Sequence, residues 1–216
     1  MKQKFEKWDR WLDTILNEVE SLVLFQFVYR ELQSTIDKNK GIQKPSLFYD
    51  FMFSSYAAWA VMTVRRIVKF QKDSVSFTAL LEDMKINDVL LTRQRFVSLY
   101  RPDMKDCAEG AFDRISGAKS LSHIASDMIS ADIAELEAVT RAIEAYADKA
   151  VAHHDQRKLT KLPTWDDLEK CISVVEKLAL KYQFLLRARD DDTLLPVNLY
   201  DWKEVFYIPW LSQGEP

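Results

Sequence analysis

From Ile129 to Ala150 an apolar side chain returns every three or four residues, through Ile133, Leu136, Val139, Ile143 and Tyr146. A second run repeats the pattern from Leu168 through Ile172, Val175, Leu178, Ala179 and Tyr182 to Leu185 and Leu186. That spacing puts each set on one stripe of an α-helix, and the stripe has to be covered by something. It predicts helices over Leu121–His153 and Thr164–Arg189. Thr164-Trp165-Asp166-Asp167 opens the second with a hydroxyl cap and an acid three residues on, and Pro163 sets its boundary. Two long helices joined by about ten residues fold back on each other as an antiparallel αα-hairpin.

The remainder of the chain is helical by the same criterion. Its 216 residues include only 4 glycines and 6 prolines, too few to turn a sheet-rich chain back and forth. A first helix is predicted from about Lys4 to Ile36, with Phe5, Trp8, Leu12, Ile15, Val19 and Leu22 on its stripe. Beyond Leu22 it turns apolar on all sides (Val23, Leu24, Phe25, Phe27, Val28), which predicts a second half in the middle of the fold. Gly41 and Pro45 end it, and a second helix follows from Ser46 to about Phe70. Asp73, Ser74 and Ser76 recap the run that starts at Phe77. Asn87–Lys105 reads as shorter and basic, with Arg93, Arg95 and Arg101 on a solvated face, and Cys107–Ser122 as mostly loop with room for one short helix. The aromatic tail, Asn198–Leu211, is too apolar to float and is expected to dock. The expected fold is therefore all-α: a helical bundle with a long C-terminal antiparallel αα-hairpin and a docked aromatic tail. It forms one domain over 1–216, with N-terminal helices in 1–120, the hairpin in 121–190 and the tail in 191–216.

Charge and cysteine usage narrow the function. A net charge of −3 leaves no global positive field to attract nucleic acid, so any such binding needs a local patch. Cys107 and Cys171 stand far apart with no histidine near either, which argues against a disulfide framework or zinc site. The most apolar stretch, Leu22–Val28, is far short of the roughly 18 residues of a membrane span. No apolar leader follows Met1, and the expected location is cytoplasmic, with no membrane partner.

Chemistry concentrates in Tyr146–Asp155, YADKAVAHHD, which holds two of the chain's three histidines, His153 and His154. Arg157, Lys158 and Lys161 follow at once. Imidazoles beside cations at a helix junction suit the handling of phosphate. A helix end favours His through the macrodipole alone, so a purely structural role is the competing account. Arg65 and Arg66, with Lys69 and Lys72, form a second candidate phosphate strip, and they too sit where a helix C-terminus welcomes positive charge. Asp166, Asp167 and Glu169 are explained as first-turn acids without invoking a metal.

YADKAVAHHD, together with Val64–Leu81 (VRRIVKFQKDSVSFTALL) and the Trp202–Trp210 tail (WKEVFYIPW), resembles the HEPN superfamily of all-helical nucleotide-binding and RNase domains, most closely its abortive-infection branch. The three stretches span most of the chain in the right order. The family signature is an arginine, then a polar residue, then a histidine several positions on. Matching His153 to that histidine puts Asp148 on the polar position, Lys149 on a basic one, and Ala147 where the arginine belongs. Natural loss and an introduced substitution both give this pattern. The resemblance implies a metal-independent RNase or toxin of an abortive-infection or toxin–antitoxin system, impaired by Ala147. It also implies a homodimer of facing hairpins, an RNA substrate, a cognate antitoxin or defence partner, and no cofactor. His153 would be the general acid or base, His154 a helper and Asp148 an orienting group. Lys149, Arg157 and Lys158 would hold the RNA backbone. Position 147 is expected on an exposed helix surface, where Arg is tolerated about as well as Ala. The alternative class is a non-catalytic helical interaction or antitoxin-like protein.

Overall fold

The computed structural model describes residues 2–71, 73–119, 121–151, 162–197 and 201–209. It is all-α. Seven α-helices, α1 (Lys2–Lys38), α2 (Leu47–Val68), α3 (Phe77–Ile86), α4 (Arg93–Val97), α5 (Lys105–Ser116), α6 (Ser126–Tyr146) and α7 (Trp165–Arg187), form among the described residues. No helix there is long and apolar enough to cross a membrane.

Local signals set the boundaries. Ser46 and Ser76 cap α2 and α3 by accepting from the backbone N–H of Phe48 and Ala79. Thr164 and Asp167 form a reciprocal capping box at the start of α7, as the sequence predicts. Gly117 closes α5 at φ 71°, a left-handed conformation that glycine adopts without a Cβ penalty. The expected loop at Cys107–Ser122 is instead helical up to Ser116, because Ala108, Ala111 and Phe112 give it a buried face.

α7 lies centrally, packed against α1 and α6, and α6 in turn packs against α2 and α3. Lys181 and Tyr182 both donate to Asp132, and Lys177 pairs with Glu135, so residue numbers run in opposite senses along an antiparallel hairpin. Asp132 is buried, and its hydrogen bonds, at 2.6 Å from Lys181 and 2.7 Å from Tyr182, meet the cost of placing a carboxylate there. Phe96 of α4 packs on Phe112 of α5 and Phe184 of α7. Arg93 and Arg95 are not a solvated face. Arg93 pairs with Glu109 and Asp113, and Arg95 donates to the last carbonyls of α7 at Leu185 and Leu186.

One expectation about an apolar segment needs correction. The second half of α1 does not run through the middle of the fold: past Tyr29 none of its residues is buried, and Phe25 is largely exposed. The tail meets the bundle through Leu194 and Leu195, and again where Lys203 pairs with Glu31. Its Tyr207 and Ile208 face outward.

Candidate functional site

Helix α6 loses its α geometry where the motif begins. Its last α residue is Tyr146, and Ala147–Val151 continue as one π turn. Such single turns are rare and are frequently found at functional sites. The Ala147 N–H still reaches the carbonyls of Ile143 and Glu144. Its methyl is 0% exposed and belongs to the core. The reason is helical spacing: Leu136, Thr140, Ile143 and Ala147 follow one another at steps of four, three and four on the buried stripe. The expectation of an exposed position 147 is thus overturned. An arginine there would point into the bundle.

Asp148, the next residue, turns outward and is held from α2. Its Oδ1 accepts from Arg65 Nε at 2.5 Å and its Oδ2 from Lys69 Nζ at 2.6 Å. Partial burial pushes the Asp148 carboxyl up, but hydrogen bonds from Lys69 and Arg65, with their charges, outweigh it and leave the pKa below the ordinary aspartate value. One turn earlier, Glu144 behaves in the opposite way. Burial raises its pKa, helped by the negative charges of Asp148 and Glu137 and opposed by the Thr140 hydroxyl and the Lys69 ammonium. Two carboxyls one turn apart are thus pushed in opposite directions, a pattern that acid–base sites share.

Of the residues singled out from sequence, the fold brings Arg65 and Asp148 together although they stand 83 positions apart. It separates Arg65 from Arg66, whose guanidinium turns to Glu18 of α1 at 2.7 Å and to Thr63. Lys149 sits half-buried on the π turn. His153, His154, Arg157 and Lys158 lie outside the described residues. Glu144 joins the cluster unannounced, while Lys69, already on the α2 strip, shares Asp148 with Arg65. Lys69 stands one turn after Arg65, so an i, i+4 pair of cations at the end of α2 was the available signal. Glu144 stands in the same relation to Asp148.

Arg65, Arg66 and Lys69, with Gln71, Ser74 and Val75, line a surface hollow of about 180 Å³. Ala57, Val61, Ile143, Tyr146, Pro163 and Leu168 line a mainly apolar cleft of about 410 Å³. The cations that hold Asp148 thus border one hollow, and Tyr146, the residue before the motif turn, borders the other. Cys171 beneath it is no nucleophile, since burial and the neighbouring Glu144 push its thiol up to about 12. Among the described residues no group of three or more His, Cys, Asp or Glu is arranged to hold a metal. Compared with protein-family models, curated proteins and solved structures, the chain matches none of them.

Proposed function

We propose that this chain is an HEPN-type RNase scaffold of an abortive-infection or toxin–antitoxin system, in which Arg65 supplies the guanidinium that the motif lacks at position 147. The observation that carries this reading is the Arg65–Asp148 bond, which sets a permanently charged group beside the motif's polar residue. Metal-free RNA cleavage needs three things: a base for the 2′-OH proton, an acid for the departing 5′-oxygen, and positive charge on the phosphorane between them. His153 takes the acid or base role, with His154 beside it in sequence. Arg65 and Lys69 supply the charge, and Asp148 holds both cations in position. Lys149, Arg157 and Lys158 contact the RNA backbone. The setting that goes with this reading is a cytoplasmic homodimer with a cognate antitoxin or defence partner.

A second reading has its own support. Ala147 is buried and both cations are already engaged by Asp148, which suits a non-catalytic interaction or antitoxin-like protein. Incubating the full chain with mixed cellular RNA in the presence of a chelator separates the two. The RNase reading expects products ending in 2′,3′-cyclic phosphate, lost with His153→Ala. A folded chain that leaves the RNA intact hands the case to the interaction protein.

A further inference from the structure

Residues 30–59, the end of α1, the turn and the first half of α2, contain no buried residue at all. Yet this arm carries Phe48, Tyr49, Phe51, Phe53, Tyr56 and Trp59. Helix α2 is capped and regular there, so the arm is ordered rather than a loose loop. An aromatic content this high on a segment outside the core marks a surface that is covered in the working assembly.

The arm has both a ridge and a groove. Leu47 and Phe51, 87% and 68% exposed, stand out from α2. Phe51 also forms the lip of an apolar groove of about 360 Å³ between α1 and α2, lined further by Phe25, Val28, Met52, Tyr56 and Trp59. At roughly 200 Å² per large side chain, Phe25, Leu47 and Phe51 leave on the order of 400 Å² open, within the roughly 300–600 Å² of the largest patch on a monomer, which is often functional. With the half-buried groove walls this reaches the scale of the roughly 800 Å² per partner that a stable dimer buries. A two-fold contact demands a surface that fits itself, with ridge and groove on the same face. The rim agrees, because Asp37, Lys38, Lys40, Lys44 and Asp50 mix both signs and can pair across an axis. The outer face of the hairpin is different: Glu137 and Arg141 on α6 and Lys170, Ser173 and Lys177 on α7 are polar and exposed.

From this we infer that the α1–α2 arm is the seam of a homodimer, the Leu47–Phe51 ridge of each copy seated in the Phe25–Trp59 groove of the other. This seam is independent of whether the chain acts on RNA. The arm adjoins the entrance to α7, where Trp165 stacks on Tyr29 and Tyr56.

Light scattering on the full chain at tens of micromolar tests it, read alongside melting temperature. The native chain is expected at twice the chain mass. Phe51→Asp and, separately, Leu47→Asp are expected to weaken self-association by about 30-fold or more, as loss of an interface anchor does, with melting of the monomer unchanged. Glu137→Arg, on the outer face of α6, is expected to stay dimeric. A monomeric native chain overturns the inference and gives the face to another occupant, such as an amphipathic partner helix. A dimer that survives both arm variants but dissociates with Glu137→Arg overturns it in favour of a hairpin seam.

Discussion

The two halves of α2 are one helix in two environments. From Leu47 to Trp59 no residue is buried although most are apolar; from Ala60 to Val68 six are buried although the same stretch carries Arg65 and Arg66. Hydrophobicity alone therefore ranks the halves in the wrong order. What decides is the neighbour across the helix. The C-terminal half lies under α6, where Thr140, Ile143 and Ala147 close over it and Asp148 takes its charges. The N-terminal half has only α1 and the first turn of α7 beside it, where Tyr56 stacks on Trp165, and none of its residues is buried by them.

The largest effect expected on the buried side is from Ala147→Arg. A guanidinium forced into the core, with no acid aimed at it, should cost more than about 3 kcal/mol. That is a large part of the stability of an ordinary domain, and denaturant unfolding should show the variant largely unfolded or severely weakened. A stable, active Ala147→Arg variant would break the comparison, because the motif position would then face solvent.

Next in size is a direct contrast along α2. Val64→Ala, at a fully buried site, should lose about 2 kcal/mol. Phe51→Ala should change monomer stability by no more than about 0.5 kcal/mol, as surface changes do. Equal losses at the two sites, measured by urea unfolding at concentrations where the chain is monomeric, would erase the distinction between the halves.

Smaller again is the effect of the ion pairs at Asp148. The side chain is 38% exposed, so screening limits Asp148→Asn to about 0.5–1 kcal/mol, less at high salt. The sign of the pH dependence follows from linkage. Asp148 has a folded pKa below its unfolded one, so its contribution is present above the ordinary aspartate value and is lost as pH falls through the depressed one. Glu144 has a folded pKa above its unfolded one, so it favours folding under acid conditions and costs stability as pH rises through the raised value. Glu144→Gln should therefore be neutral to stabilising at pH 7, opposite in sign to Asp148→Asn. Stability curves between pH 3 and 7 for both variants check this.

The sequence makes the hairpin legible because its two stripes, Ile129–Ala150 and Leu168–Leu186, each repeat over several helical turns and its capping box is local. The exact stripe is harder to see. Thr140 is fully buried in place of the half-exposed Val139, since its hydroxyl bonds the carbonyl of Leu136 and the carboxylate of Glu144. That one-residue rotation is what carries Ala147 inward. Arg95 looked solvated because nothing local shows that it caps a helix ninety residues away. The Arg65–Asp148 pair was legible as two separate candidates but not as one site, because their meeting depends on how α2 crosses α6. The second half of α1 misled for the opposite reason: an all-round apolar helix is normally internal, yet Phe25 stays 45% exposed among the described residues.

The central claim is that Arg65, rather than residue 147, brings positive charge to the motif. The direct measurement is the RNA cleavage rate of the native chain beside Arg65→Gln and Arg66→Gln, with fold and oligomeric state of each confirmed. Arg65→Gln should lose about 100- to 1000-fold, the usual consequence of removing a group that stabilises the developing charge. Arg66→Gln, whose native side chain is turned to Glu18, should stay within a few-fold of native. Equal rates for all three, or equal losses for the two variants, would contradict the account.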